Sequence, residues 1–356
     1  MTSWYANPSA RWWSLADERS GAAREFHRTL PGYVPTPLVD LPALASELRV
    51  GRVLVKDESS RLGLPAFKIL GASWACRQTL DRHPGSHLIT ATDGNHGRAV
   101  ARTARELGTS ATVFVPDVML ESTAARIVDE GAKVVRVDGD YDLAVHAAAE
   151  HADADPGREL VQDTAWDGYE EVPQWIVEGY RTLLAEVDET LGRQPDLVAV
   201  PVGVGSLAQA VVAHYRARGS AGGAATVSER GDAHPTRVLS VEPDTAAGVL
   251  ASLRAGTPVP VPTASTIMAG LNCGTASSLA WPVLREGCDA AVAVTDEAAL
   301  AASRDLEALG VSSGPCGAAT LAGVRAALAD PGRRTDLDLP QDAVVVLLST
   351  EGLDSA

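Results

Sequence analysis

Short runs of β-branched residues alternate with alanine-rich stretches of helical period along most of the chain. "RVLVKDE" (Arg52–Glu58) reads as a strand and "ILGASWACRQTL" (Ile69–Leu80) as a helix. "HLITATDGNHG" is a strand running into a turn, and "GRAVARTARELG" is a helix closed by a C-terminal glycine. "ATVFVPD" is a strand, "ESTAARIVDEGA" a helix capped by Ser122, and "KVVRVDG" a further strand. "DLVAVPVG", "RVLSVEP", "DAAVAVTDE" and "DAVVVLLST" continue the series, each beside an alanine-rich helix. Strands this continuously apolar, alternating with helices, predict an α/β fold whose parallel-type open sheets are flanked by helices on both faces. The number of strands predicts two sheets. The segment Ala217–Arg237, rich in Gly, Ala, Ser and charge, reads as a surface loop.

Composition narrows the picture. The chain has 356 residues, 46% hydrophobic and 21% charged, with a formal net charge of −16. That charge argues against nucleic acid or an anionic membrane as partner, because both reward a basic face. The four cysteines, at positions 76, 273, 288 and 316, form no C-x-x-C pair, as expected of a reduced, cytoplasmic protein. The start of the chain has no signal-peptide pattern, and no stretch is long and apolar enough to span a membrane. There is no H-E-x-x-H, no G-x-S-x-G and no P-loop, and no spacing that suggests a metal site.

In doubly wound sheets ligands sit outside the carboxyl ends of the strands. Four such ends carry informative residues: "ATDGNHG", "PVGVGSL", "VEP" and "LLSTEG". The turn Gly203-Val204-Gly205-Ser206-Leu207 joins a strand to a helix and can aim backbone amides at a phosphate. Its G-x-G-x-x-A spacing also fits a nicotinamide dinucleotide, with Glu242 as ribose ligand, or a plain tight turn. Asp93, Asn95 and His96 place a carboxylate, an amide and an imidazole at one strand end, although each dipeptide there is ordinary turn chemistry. Lys68 is the one charge in the apolar run "PAFKILG", at the predicted start of a helix. Burial and the helix dipole both disfavour its ammonium form, so its pKa is expected to fall, as Schiff-base chemistry requires. A snorkelling lysine is the alternative.

Together these stretches resemble the fold-type-II enzymes that use pyridoxal 5′-phosphate (PLP), the tryptophan synthase β-like superfamily. The resemblance is nearest to the diaminopropionate ammonia-lyases, through "LPGYVPTPL", "LGLPAFKILGAS", "ATDGNHGRAVA", "VQDTAWDGY" and "IMAGLNCGT". It implies a large PLP-binding domain of residues 1–79 and 181–356 and a small α/β domain of residues 80–180. It also implies a homodimer acting on a small amino-acid substrate by α,β-elimination, giving pyruvate and ammonia from 2,3-diaminopropionate. Lys68 then holds PLP and takes the α-proton of an L-substrate, while Asp93 takes that of the D-enantiomer and Asp163 binds the extra amino group. Gly203, Val204, Gly205, Ser206 and Leu207 hold the phosphate, Asn95 the ring hydroxyl, and Ser349 or Thr350 faces the ring nitrogen.

One stretch departs from the family: "SSGPCGAAT" places Pro315 and Cys316 where a Glu-Ser pair is expected. Other readings stay open at this stage: β-replacement, serine or threonine dehydration, the nicotinamide oxidoreductase, and a non-catalytic binding protein built on the same fold.

Overall fold

The computed structural model describes residues 3–16, 21–217 and 235–353. Eleven strands run β1 (Trp4–Ala6), β2 (Leu38–Asp40), β3 (Arg52–Asp57), β4 (His87–Ala91), β5 (Ala111–Pro116) and β6 (Lys133–Val137), then β7 (Arg158–Leu160), β8 (Leu197–Pro201), β9 (Arg237–Pro243), β10 (Ala290–Val294) and β11 (Val344–Ser349). They form a seven-stranded sheet of order β1-β10-β9-β8-β11-β3-β2 and a four-stranded sheet of order β6-β5-β4-β7. Every internal pairing is parallel, in register such as Val345↔Leu197 and Thr90↔Val113. The two edge strands of the large sheet, β1 and β2, are antiparallel to their neighbours, so that sheet is mixed at its margins.

The sequence explains the layering. β5, β8, β9, β10 and β11 are buried along their full length, which requires helices on both faces. Two clusters of apolar side chains fill the opposite sides of the large sheet, one containing Val198, Val200 and Val346, the other Val345, Leu347 and Leu239. The alternation of Val344, Val345, Val346 and Leu347 between clusters follows the two-residue period of a strand. Among the described residues no helix is long and apolar enough to cross a membrane.

Two local expectations change. The helix predicted to start at Ser122 runs Glu121–Asp129, with Leu120 at its N-cap and no side-chain cap, so Ser122 is inside the first turn. Residues 218–234, the bulk of the expected surface loop, lie outside the described residues.

One helix crossing matters for the site. The helix Lys68–Arg82 packs against the helix Glu171–Leu191 through facing glycines. A Cβ on Gly71 would come within 2.5 Å of the Tyr180 ring, and one on Gly179 within 2.4 Å of the Leu70 carbonyl oxygen. Only glycine permits this approach, which brings Tyr180 beneath the start of the Lys68 helix. The expected boundary at residue 180 falls inside the Glu171–Leu191 helix.

Candidate active site

The carboxyl ends of β4, β7, β8 and β11 converge. After β8, the turn Gly203–Gly205 feeds the helix Ser206–Arg216, whose N-terminus has no side-chain cap. Gly205 has φ +104, a conformation that side-chain-bearing residues rarely adopt. A Cβ on Gly203 would lie 3.1 Å from the Gly270 carbonyl oxygen and 3.2 Å from Cys273 Sγ, so the turn is also sterically confined. An uncapped helix N-terminus reached through a glycine turn is the cradle a phosphate needs.

Lys68 is positioned by its neighbours in sequence. Phe67 N–H donates to the Thr350 carbonyl at 3.1 Å, and Ala66 bridges to Glu351, so the end of β11 fastens the loop that presents Lys68. The Lys68 side chain begins its helix with 28% of its surface exposed. Its Nζ donates to Asp163 Oδ2 at 2.6 Å. Asp163 follows β7 and is buried, and its carbonyl accepts from Ser206 Oγ at 3.1 Å, which ties the glycine turn to the ion pair.

This pairing corrects the expected pKa of Lys68. Burial does disfavour the ammonium, but the Asp163 carboxylate outweighs it and the Lys68 pKa rises. Burial likewise opposes the charge of Asp163, yet Lys68 and His96 hold its pKa below the usual carboxylate range. The sequence could not supply this answer, because the partner lies 95 positions away.

Two buried polar atoms next to the pair have no hydrogen-bond partner: His96 Nδ1 and the Tyr180 hydroxyl. His96 donates from Nε2 to the Val161 carbonyl at 2.9 Å, which leaves Nδ1 as an acceptor 3.8 Å from Asp163 Oδ2. Tyr180 packs its ring on Phe67 at 4.7 Å between centroids. Buried polar groups in native proteins are nearly always satisfied, so orphans gathered around one ion pair mark a place that a ligand completes. A glycine cradle, a lysine of adjustable charge and unpartnered polar atoms fit PLP, which brings a phosphate, a carbonyl and polar ring substituents.

The remaining predicted residues lie close by. Asp93 is exposed, yet desolvation by surrounding chain, with Asp163 and Asp142 adding repulsion, pushes it up to about 6. Asn95 begins the helix Asn95–Glu106, and its Nδ2 donates to Glu351 Oε2 at 3.3 Å. Ser349 is buried and shares a hydrogen bond with Ser313 Oγ at 2.8 Å; Thr350 is also buried. Cys316 is buried, and burial with the nearby Glu351 carboxylate keeps it a thiol, as for a packed core residue. The residues that the sequence reading left out are Glu351 and Tyr180. Tyr180 sits in no motif, Glu351 lies in the strand end "LLSTEG" without a role read for it, and only their long-range neighbours make them part of the site.

Glu242 is the clear correction. Both its oxygens are taken by the first amides of the helix Gly248–Ala255, Val249 N at 2.8 Å and Leu250 N at 2.7 Å. It is fully buried, and burial pushes it up to about 8 against the pull of those amides. It caps a helix and is not free to bind a ribose, so the nicotinamide reading loses its second element.

Comparison with known proteins agrees with this geometry. The family model described as pyridoxal-phosphate dependent enzyme matches residues 29–351. The chain is 36% identical over 368 residues to diaminopropionate ammonia-lyase of Escherichia coli (strain K12), covering 95% of this chain and 89% of that protein. An L-threonine dehydratase of Mycobacterium leprae is 30% identical, with 92% of this chain and 70% of that protein covered. Diaminopropionate ammonia-lyase from Escherichia coli, solved in complex with an aminoacrylate-PLP azomethine reaction intermediate, superimposes with a TM-score of 0.85 at 32% identity, covering all of this chain and 94% of that one. The two-sheet architecture is therefore that of the fold-type-II PLP enzymes, and the chain belongs to the pyridoxal-phosphate dependent enzymes and, within them, to the family of the diaminopropionate ammonia-lyases.

Proposed function

We propose that the protein eliminates ammonia from 2,3-diaminopropionate, with water completing the conversion to pyruvate and a second ammonia. The observation that carries the reading is the Lys68–Asp163 pair, 2.6 Å apart and tied through Ser206 to the glycine turn. It puts a lysine amine, a carboxylate and a phosphate cradle in one place. Bound PLP supplies the electron sink that makes the α-proton of an amino acid removable.

Lys68 holds the cofactor and takes the α-proton of the L-substrate. Asp93 takes that of the D-substrate from the opposite face. The amides of Gly203, Val204, Gly205, Ser206 and Leu207 receive the phosphate, and Asn95 donates to the ring hydroxyl. Ser349, or Thr350 beside it, faces the ring nitrogen, with Ser313 Oγ 2.8 Å from Ser349 Oγ to orient that hydroxyl. Asp163 binds the substrate's second amino group as an ammonium, once Lys68 no longer needs it as counter-ion. A serine or threonine hydroxyl brings no charge to that carboxylate, which favours the diamine over a dehydratase substrate. The reading extends to a cytoplasmic homodimer with a large domain of residues 1–79 and 181–356 and a small one of residues 80–180.

The test is pyruvate release from D- and L-2,3-diaminopropionate, with L-serine beside them and 2-oxobutyrate release from L-threonine. Rapid release from the diamines alone is expected. A protein that carries the cofactor's visible band but is silent on both diamines would overturn the reading. Lys68→Ala should lose that band and reduce turnover by about 10²–10⁴-fold or more.

A further inference from the structure

Glu351 lies two residues beyond the end of β11, and its backbone is held from two sides. Gly352 N–H donates to the Pro65 carbonyl at 2.9 Å, and Gly314 N–H donates to the Glu351 carbonyl at 3.0 Å. Gly314 has to be glycine, since a Cβ there would lie 2.8 Å from the Gly352 carbonyl oxygen and 3.0 Å from both Cγ and Oε1 of Glu351. The side chain then serves two elements that the sequence keeps far apart. Its Oε1 accepts from Cys316 N at 3.3 Å, in the first turn of the helix Pro315–Leu328. Gly314 offers that helix no side-chain cap, and Pro315 has no N–H to satisfy. Its Oε2 accepts from Asn95 Nδ2 at 3.3 Å, across 256 positions of sequence.

A carboxylate can only accept hydrogen bonds, so the Asn95 atom that faces it must be nitrogen. Of the two ways an asparagine amide can be turned, Glu351 selects one. Nothing in the local turn sequence makes that choice.

We propose that Glu351 is a positioning residue for cofactor binding: it fixes the orientation of the Asn95 amide and so the hydrogen-bonding face that Asn95 offers to the cofactor ring. This rests on the reading above, that Asn95 serves the ring. The carboxylate does this from the N-terminus of the Pro315–Leu328 helix, where that helix's dipole favours a negative charge. The contact also joins the end of the small sheet, which carries Asn95, to the end of the large sheet beside Lys68.

Glu351→Gln separates positioning from helix capping. Its amide oxygen can still accept from Cys316 N, but its amide nitrogen is a donor, which favours Asn95 Oδ1 in place of Nδ2 and so turns the Asn95 amide over. The experiment titrates PLP into the cofactor-free forms of wild type, Glu351→Gln, Asn95→Ala and the double variant. It follows the visible band of the bound cofactor against pH and the melting temperature without cofactor.

The expected result is a PLP Kd raised about tenfold in each single variant, the size of one hydrogen bond to a charged group. The double variant should be no worse than either, the band's pH profile should shift in Glu351→Gln, and the melting temperature should stay at the wild-type value. Wild-type affinity and pH profile in Glu351→Gln, with weakened binding in Asn95→Ala, would overturn the role of Glu351 and leave that of Asn95 standing. A lowered melting temperature with an unmoved pH profile would reduce Glu351 to a helix cap and also overturn it. Wild-type binding by Asn95→Ala would remove the reading of Asn95 and this inference with it.

Discussion

Two clusters of charge lie on either side of the loop that carries Lys68, and they are built to opposite ends. Beneath it Lys56, Glu58, Arg61 and Glu186 form a network with side chains no more than 1% exposed. Glu186 accepts from Lys56 at 2.5 Å, from Arg61 at 2.7 and 2.8 Å and from Tyr33 at 2.7 Å. Glu58 accepts from Arg61 at 2.6 and 2.8 Å and from Thr36 at 2.6 Å. Two cations meet two anions, and every carboxylate oxygen is engaged. At the strand ends, by contrast, Asp163 is the one carboxylate that Lys68 pairs with, and His96 Nδ1 and the Tyr180 hydroxyl beside them have no hydrogen-bond partner. A saturated buried network has nothing left for a ligand, while an ion pair with orphans around it does. Hydrogen-bond saturation, not the presence of charge, separates scaffold from site here.

That contrast can be broken by one substitution in each cluster. Arg61→Met leaves Glu58 buried without a cation and Glu186 with Lys56 alone, and should cost about 3–5 kcal/mol of stability in urea or thermal unfolding. Its residual activity, per folded molecule, should stay near wild type. Asp163→Asn leaves a lysine that can reach solvent, so its unfolding midpoint should hardly move. Its turnover of diaminopropionate should fall about 10²-fold, the scale of losing one charged pairing of roughly 2–5 kcal/mol. If Arg61→Met abolished activity at unchanged stability, or Asp163→Asn unfolded the protein, the division between the two clusters would be wrong.

The same network sharpens the point through pH, with a smaller effect. Burial raises the Glu186 pKa, but its bonds to Arg61 and Lys56 prevail and bring it down to about 2 from 4.5. A depressed carboxylate pKa contributes stability that is present above the unfolded value and lost as pH falls toward the folded one. Wild-type stability should therefore drop between about pH 4.5 and 2. Glu186→Gln should start lower and lose less over that window. Equal slopes for the two proteins in urea titrations would count against the network as a stabilising element.

What could be read from the sequence follows from how local the cause is. β9 begins and ends where "RVLSVEP" does, because a short run rich in valine and leucine, bounded by prolines, is a local signal. Lys68 stood out for the same reason, a lone charge in apolar surroundings. Its pKa was expected to move the wrong way, because the deciding carboxylate comes from a different strand end. Glu242 misled as a motif element because the amides it caps lie in the helix that follows, and a spacing does not show whether a carboxylate is already occupied. "RVLVKDE" reads as a strand, but nothing in it or in the residues that follow indicates that Lys56, Glu58 and Arg61 are buried around Glu186. Glu351 escaped notice just beyond a strand, because its two partners come from the far sheet and from a helix with no cap of its own.

The finest difference concerns the two proposed bases. Lys68 is held charged by Asp163, whereas Asp93 is raised to about 6 by desolvation, with Asp163 and Asp142 reinforcing it and Lys68 opposing. A base works only in its deprotonated form; Lys68 enters the L-reaction as the neutral amine that the substrate displaces from the cofactor, whereas the Asp93-dependent reaction should decline as pH falls through about 6. One pH unit below that value, about a tenth of Asp93 is ionised. The two enantiomers of diaminopropionate share the pKa values of their own amino groups, so those cancel in a ratio of rates. The ratio of kcat/KM for D- over L-substrate should therefore fall by up to about tenfold between pH 7.5 and 5. In Asp93→Asn the ratio should be low and flat, with the L-reaction largely kept. A wild-type ratio that holds constant across the same range would remove Asp93 from the D-specific role. It would then count as one more acid at the rim, whose charge repels that of Asp163 without taking a proton.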